Sequence, residues 1–215
     1  MSRQIDKGYI DCFWRSRAAH PDPTIATHYK HDEALDYDLK FIRDFVTSDS
    51  TVLDLGCGAC AILNVLADEC QYIVGVEKAS GLIRHCRRDL PSKTQYVVSD
   101  ILEYQPDRLF DVVLIFGVVN FITAAESEVL YARIFSMLKV GGHLIVKHAC
   151  GVHEEVVVDT HSEVIGSRYN ARYPKLEDEV QRLRTNYDLK VVDIYPPAIN
   201  KWENTHFYAF VAAKR

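Results

Sequence analysis

The chain has no run of about 18 apolar residues, the length that a membrane-spanning helix needs. Its polar start, Met1-Ser2-Arg3-Gln4, lacks the apolar segment of a secretory signal. It also lacks a basic excess: 25 Lys and Arg stand against 30 Asp and Glu, a net charge of −5. Domains that grip a phosphate backbone usually carry a basic surplus or stripe, so neither a nucleic acid nor a membrane is expected as partner. Of the six cysteines only Cys57 and Cys60 form a close pair, and no second C-x-x-C or H-x-x-x-H pair follows to complete four zinc ligands. No metal site is expected, and the scattered Cys12, Cys70, Cys86 and Cys150 fit reduced thiols in a cytoplasm. Internal repeats and low-complexity tracts are absent. What remains is 215 residues, 48% hydrophobic and 26% charged, a composition that can bury one sizeable core in a single domain.

The informative stretch is Val52-Leu53-Asp54-Leu55-Gly56-Cys57-Gly58-Ala59-Cys60, an apolar strand running straight into Gly-x-Gly. Glycines there let the backbone turn tightly and approach a ligand without Cβ interference. A second apolar strand, Tyr72-Ile73-Val74-Gly75-Val76, ends in Glu77, 19 residues after Gly58, where a carboxylate can accept from both hydroxyls of a ribose. Gly56-x-Gly58-x-x-Ala61 also satisfies the relaxed dinucleotide fingerprint. Asp54 separates the two readings: a carboxylate two residues before the first glycine repels a pyrophosphate but suits a ligand carrying an ammonium and a sulfonium.

Apolar periodicity predicts a helix from Asp32 onward, through Leu35, Leu39, Ile42 and Phe45. Strand and helix then alternate: strand 51–55, helix 60–69, strand 72–76, helix 80–88, strand 95–98, strand 111–116, helix 124–138 and strand 143–148. This alternation predicts an α/β fold with a parallel sheet covered by helices. Residues 1–31, in which Pro21 and Pro23 prevent a continuous helix, read as an N-terminal flap. Residues 32–148 read as the cofactor-binding core, residues 149–175 as an irregular substrate-side insertion, and residues 176–215 as a helix at about 176–187 followed by strands 189–194 and 206–213.

These motifs resemble the class I S-adenosylmethionine-dependent methyltransferases, from about Asp36 to the C-terminus. The resemblance implies a doubly wound, mostly parallel seven-stranded sheet with an antiparallel last strand, and S-adenosylmethionine as cofactor. It places Asp54, Gly56 and Gly58 in the first motif, Glu77 and the adjacent Lys78 at the ribose, Asp100 at the adenine amino group and Ile101 on the adenine ring. Asp111-Val112-Val113-Leu114-Ile115-Phe116-Gly117 resembles the fourth strand, and Leu138-Lys139-Val140-Gly141-Gly142-His143-Leu144-Ile145-Val146 the glycine turn and fifth strand. Gly117 is thereby a cofactor contact, and Gly117-Val118-Val119-Asn120-Phe121 faces the transferring methyl, with Asn120 its candidate catalytic residue. The chain departs from the family at Cys60, which stands where a third glycine is usual, and it lacks the Asn-Pro-Pro-Tyr type of segment with which many nucleic-acid amino-methylating members hold a base.

The chemistry at the acceptor is read from the residues around the expected mouth. His28, Tyr29 and His31 upstream, and Arg168, Tyr169 and Arg172 downstream, cluster in the two non-core segments and suggest a pocket for an anionic small molecule; a solvated loop surface is the alternative. His148, at the end of the fifth strand, is the candidate base for an alcohol-type oxygen, the alternative being a buried structural histidine. The expected activity is transfer of a methyl group, most simply to oxygen, on a phosphate-, phosphonate- or carboxylate-bearing metabolite or sugar. A nicotinamide-dependent oxidoreductase and a catalytically silent cofactor-binding module stay open as alternatives.

Overall fold

The computed structural model describes residues 4–27, 32–89, 91–163 and 165–214. Nine strands and seven helices follow one another in the order α1 (Lys7–Ala18), α2 (Pro23–Thr27), α3 (Asp32–Ile42), β1 (Thr51–Leu55), α4 (Ala61–Glu69), β2 (Tyr72–Glu77), α5 (Ser80–Ile83), β3 (Thr94–Val98), β4 (Phe110–Phe116), α6 (Ala124–Met137), β5 (Leu138–Gly151), β6 (Val156–Ser162), β7 (Ser167–Tyr173), α7 (Leu176–Arg184), β8 (Asp188–Val192) and β9 (Thr205–Ala213), with a 3₁₀ turn at Val119–Phe121.

Seven strands form one sheet in the order β3-β2-β1-β4-β5-β9-β8; β3, β2, β1, β4 and β5 pair in parallel, and β9 runs antiparallel to β5 and to β8. All five residues of β1 are buried, as expected of a central strand with both faces covered. Alternate residues feed two cores. Leu53, Leu55, Val113 and Ile115 pack with Tyr131 and Ile134 of α6 and Leu183 of α7. Val52, Val112 and Leu114 pack on the other face with Leu39 and Ile42 of α3 and Leu63 and Leu66 of α4. Chain order reverses between β1 and β4, which opens a crevice at their C-terminal ends.

Three expectations are corrected. Residues 149–175 are not irregular: β6 and β7 form a separate antiparallel hairpin, closed through Gly166 at φ +68°. The β-branched run Val156-Val157-Val158 gives the first arm its strand character. The helix expected over residues 80–88 ends at Ile83, because side-chain bonds draw the chain onto α4: Arg87 N–H donates to Asn64 Oδ1 at 3.0 Å and its guanidinium pairs with Asp68 at 2.7 Å. Finally, Cys86 is disulfide-bonded to Cys60, with Cα atoms 5.2 Å apart, so these two are not free thiols. Among the described residues, no helix is long and apolar enough to cross a membrane.

The N-terminal segment is helical on both sides of its prolines. Asp6 caps α1, accepting from the Tyr9 N–H at 3.0 Å, and Pro23 opens α2 at the first helical position, where its missing N–H costs nothing. Helix α1 docks on the hairpin: Asn170 Oδ1 accepts the Asp6 N–H at 2.7 Å, and the Tyr9 hydroxyl donates to the Arg168 carbonyl.

Candidate active site

A cavity of about 540 Å³ opens at the crevice between β1 and β4. It is walled by the ends of β1, β2, β4 and β5, with α1 and the β6–β7 hairpin on the outer side. Asp54, Gly56, Gly58, Glu77, Lys78, Asp100, Ile101 and Gly117 all line it.

The turn after β1 is built by positive backbone angles, φ +81° at Gly56 and +55° at Gly58. A Cβ on Gly56 would stand 2.3 Å from Val118 Cγ2, so this position has room only for glycine. Cys60 also adopts φ +65°, holding without glycine the left-handed conformation for which the family's usual third glycine is suited.

Two carboxylates meet behind this turn. Glu77 accepts from the Gly58 N–H at 3.1 Å and the Ala79 N–H at 2.7 Å, which fixes its orientation toward the cavity. Burial pushes its pKa up against the pull of those backbone donors. Asp54 is 3% exposed, and burial, together with the nearby Glu77 charge, pushes its carboxyl up to about 7. A cationic ligand group at this point would restore its ionised form. At the far wall, burial raises the Asp100 carboxyl, but the Leu102 N–H at 3.0 Å and Lys78 at 3.1 Å outweigh it and hold the pKa low. Lys78 also pairs with Asp11 at 3.0 Å, linking α1 to the Asp100 wall.

Beyond Gly117 the walls change character. Trp14 of α1 meets Phe121 edge-on at 5.1 Å, and Phe121 meets Tyr169 of β7 at 6.1 Å. Tyr173 lies two pleat repeats further along β7, its hydroxyl 3.4 Å from that of Tyr169. These four rings, with Ile165, line one part of the cavity. Lys147, Tyr195, Ile199 and Phe207 line another. Asn120 also lines the cavity, but its amide donates to the Ala149 and Arg172 carbonyls at 2.9 and 2.8 Å; it pins the β4 exit to β5 and β7.

Three expected site residues are not in the wall. His148 is fully buried on the opposite face of β5, 3.2 Å from Glu179 and stacked on Phe210 at 5.2 Å. Arg168 is occupied by Asp159 at 2.7 Å and Asp6 at 3.2 Å. Arg172 is buried, donating to the Ile122 carbonyl at 3.2 Å and paired with Glu155 at 2.9 Å. Of the expected acceptor contacts among the described residues, Tyr169 lines the cavity and Arg168 and Arg172 do not; His28, Tyr29 and His31 lie outside the described residues. Trp14 and Tyr195 were not anticipated. The spacing of Ile10, Phe13 and Trp14 on one face of α1 carried a signal for the first, whereas Tyr195 has none that is local.

Residues 52–142 match the family model described as a methyltransferase domain. Nodulation protein S of Rhizobium tropici is 29% identical over 99 residues, 45% of this chain and 42% of that protein. A carboxy-S-adenosyl-L-methionine synthase of Alteromonas mediterranea is 31% identical over 135 residues, 56% of this chain and 55% of that protein. The chain thus spans about half the length of the curated relatives it matches. Among solved structures, Haemonchus contortus phosphoethanolamine N-methyltransferase 1, in complex with phosphoethanolamine and S-adenosylhomocysteine, superimposes with a TM-score of 0.74 at 17% identity, over 99% of this chain and 50% of that one. The glycine turn and Glu77 lie within the matched residues. Over residues 52–142 the chain is thus similar to a methyltransferase domain, and its fold is that of the solved methyltransferase structure on which it superimposes.

Proposed function

We propose that the chain transfers the methyl group of S-adenosylmethionine to a small molecule, at an oxygen that is already ionised in a phosphate, phosphonate or carboxylate. One observation carries this reading: the cavity runs without interruption from the Asp54, Glu77 and Asp100 walls, past Gly117, to walls of tyrosine and tryptophan supplied from outside the core and of Lys147 from β5. The first part suits a nucleoside bearing an ammonium and a sulfonium; the second leaves room for an acceptor beside the sulfonium methyl.

Transfer is an in-line displacement in which the acceptor atom bonds to carbon as the carbon–sulfur bond breaks, its electron pair going to sulfur. The protein's contribution is alignment and exclusion of water. His148, the candidate base, is buried away from the cavity, so the reading does not rest on it as a proton acceptor. The resemblance to an enzyme named for phosphoethanolamine supports a phosphate-bearing acceptor, although that enzyme's name places the methyl on nitrogen. A cytoplasmic location is part of the proposal; the Cys60–Cys86 disulfide weighs against it.

The test is a screen of phosphorylated, phosphonylated and carboxylated metabolites with isotopically methyl-labelled S-adenosylmethionine, read by mass spectrometry and by the carbon shift of the transferred methyl. A methyl ester on an anionic acceptor is expected. Methylation of neutral alcohols alone would overturn the acceptor class, and failure to bind S-adenosylhomocysteine would overturn the reading altogether.

A further inference from the structure

Three lysines line the cavity among the described residues, and they are not equivalent. Lys78 is paired with Asp11 and Asp100. Lys7 sits at the rim, 39% exposed and paired with Glu126. Lys147 is 7% exposed, the innermost of the three.

Lys147 belongs to a buried trio drawn from distant segments. Its Nζ lies 2.9 Å from Asp38 Oδ2 of α3 and donates to the Tyr195 hydroxyl at 3.0 Å; that hydroxyl donates to Asp38 Oδ1 at 2.6 Å. Asp38 is fully buried and lies outside the cavity wall, whereas Lys147 and Tyr195 are in it. The pair is therefore a fixed dipole with its positive end toward the cavity. Phe116, Tyr195 and Phe207 surround the ammonium at 5.2, 5.5 and 5.9 Å, and such low-polarity surroundings strengthen any charge it meets. A buried ion pair seldom stabilises a fold more than apolar packing of the same volume would. Its position gives it a use: Lys147 stands opposite Phe116 in register, and its carbonyl accepts the Gly117 N–H at 2.8 Å, one strand from the turn beside which the methyl is expected.

We infer that Lys147, positioned by Asp38 and Tyr195, is the cationic anchor for the ionised oxygens of the methyl acceptor. The inference rests on the methyl-transfer reading above and assigns its acceptor site. The anchor takes an oxyanion whose free oxygen attacks the sulfonium methyl; the carbon–oxygen bond forms as the carbon–sulfur bond breaks, and no proton moves.

Calorimetric titration of inorganic phosphate and of methylphosphonate into protein saturated with S-adenosylhomocysteine reads the anchor directly. The parent is expected to bind at least one of the two anions. The double variant Asp38→Asn/Lys147→Met, which removes both charges together, should weaken that binding by about tenfold or more, because a charge-assisted hydrogen bond is lost. Its S-adenosylhomocysteine affinity should move less than about threefold, since the two ligands occupy different parts of the cavity. Tyr195→Phe keeps the ion pair and should weaken anion binding by about threefold; it carries the test if the double variant does not fold. Absence of anion binding in the loaded parent, or equal binding in the parent and the folded variant, overturns the inference. A parent that does not bind S-adenosylhomocysteine overturns the methyl-transfer reading and the anchor with it.

Discussion

Gly58 donates its backbone N–H to Glu77 Oε2 at 3.1 Å, tying the turn after β1 to the tip of β2 across 19 residues of sequence. The other Glu77 oxygen accepts from Ala79 at 2.7 Å, so the backbone orients the carboxylate, which lines the cavity with lone pairs to spare.

That pre-orientation makes Glu77 the best single test of the cofactor assignment. Glu77→Ala should weaken S-adenosylmethionine binding at least about tenfold, or about 1.4 kcal/mol. An unchanged dissociation constant by calorimetry, in a variant with the parent's circular dichroism, would sink the ribose assignment.

Asp54 is expected to make S-adenosylmethionine binding pH-dependent. Its carboxyl is pushed up to about 7 by burial and by the Glu77 charge, so below that pH the free protein holds it protonated. If the cofactor's ammonium binds the ionised form, binding must release a proton there. Affinity should fall about tenfold per pH unit on the acid side of the transition and level off above it. Asp54→Asn should bind more weakly and lose this acid limb. A parent dissociation constant that is flat between about pH 5 and 7 would show that Asp54 does not meet the ligand's charge.

The Gly56 turn offers a test that separates strain from contact. Gly56→Ala places a Cβ 2.3 Å from Val118 Cγ2 at φ +81°. The left-handed backbone alone costs an alanine about 1–2 kcal/mol, and the clash adds to it. Adding Val118→Ala should recover the clash but not the backbone cost. If the single and double variants melt at the same temperature, Val118 does not set the turn.

That Gly56, Glu77 and Gly117 share one cavity was legible in the sequence because they follow directly from strand ends, where a local motif fixes both position and exposure. Gly56 follows β1, Glu77 ends β2 and Gly117 follows β4. The rest of the cavity was legible only at Tyr169, since Trp14 and Tyr195 join it only through packing of α1 and the segment after β8. Two errors there share one cause. In a strand, successive side chains point to opposite faces. With 149–175 read as loop, Arg168 and Arg172 seemed as eligible as their neighbours; as β7, the chain turns Tyr169 and Tyr173 to the cavity and the arginines away. The same alternation in β5 puts Lys147 in the wall and His148 in the core.

Arg172 should therefore behave as a structural residue. Arg172→Ala removes its bonds to the Ile122 carbonyl, Glu155 and Ser127. We expect about 2 kcal/mol of lost stability, the range for hydrogen bonds to a buried charged group. The Michaelis constant for the acceptor should change little. A folded variant with parental melting and a large rise in that constant would return Arg172 to the acceptor site.

His148 decides between a base and a buttress. Its imidazole lies 3.2 Å from Glu179, which also accepts the Tyr131 hydroxyl and pairs with Arg182, so the ring ties β5 to α6 and α7 behind the sheet. Burial works against the charged ring, but Cys150 and Glu179 together hold its proton and raise its pKa above the ordinary histidine value. A histidine whose folded pKa exceeds the unfolded one stabilises the fold fully below about pH 6.5, and that contribution is lost as the pH rises through the folded value. The parent's melting temperature should thus decline on the alkaline side of neutrality. His148→Phe, which keeps the stacking on Phe210, should lower stability by up to about 3 kcal/mol, because Glu179 loses one of its partners in the interior, and should flatten the decline. Turnover per folded molecule should stay within about threefold of the parent, since the ring does not reach the cavity wall. A variant that melts like the parent but has lost turnover by orders of magnitude would restore His148 as the proton acceptor, and with it an alcohol or phenol as the nucleophile.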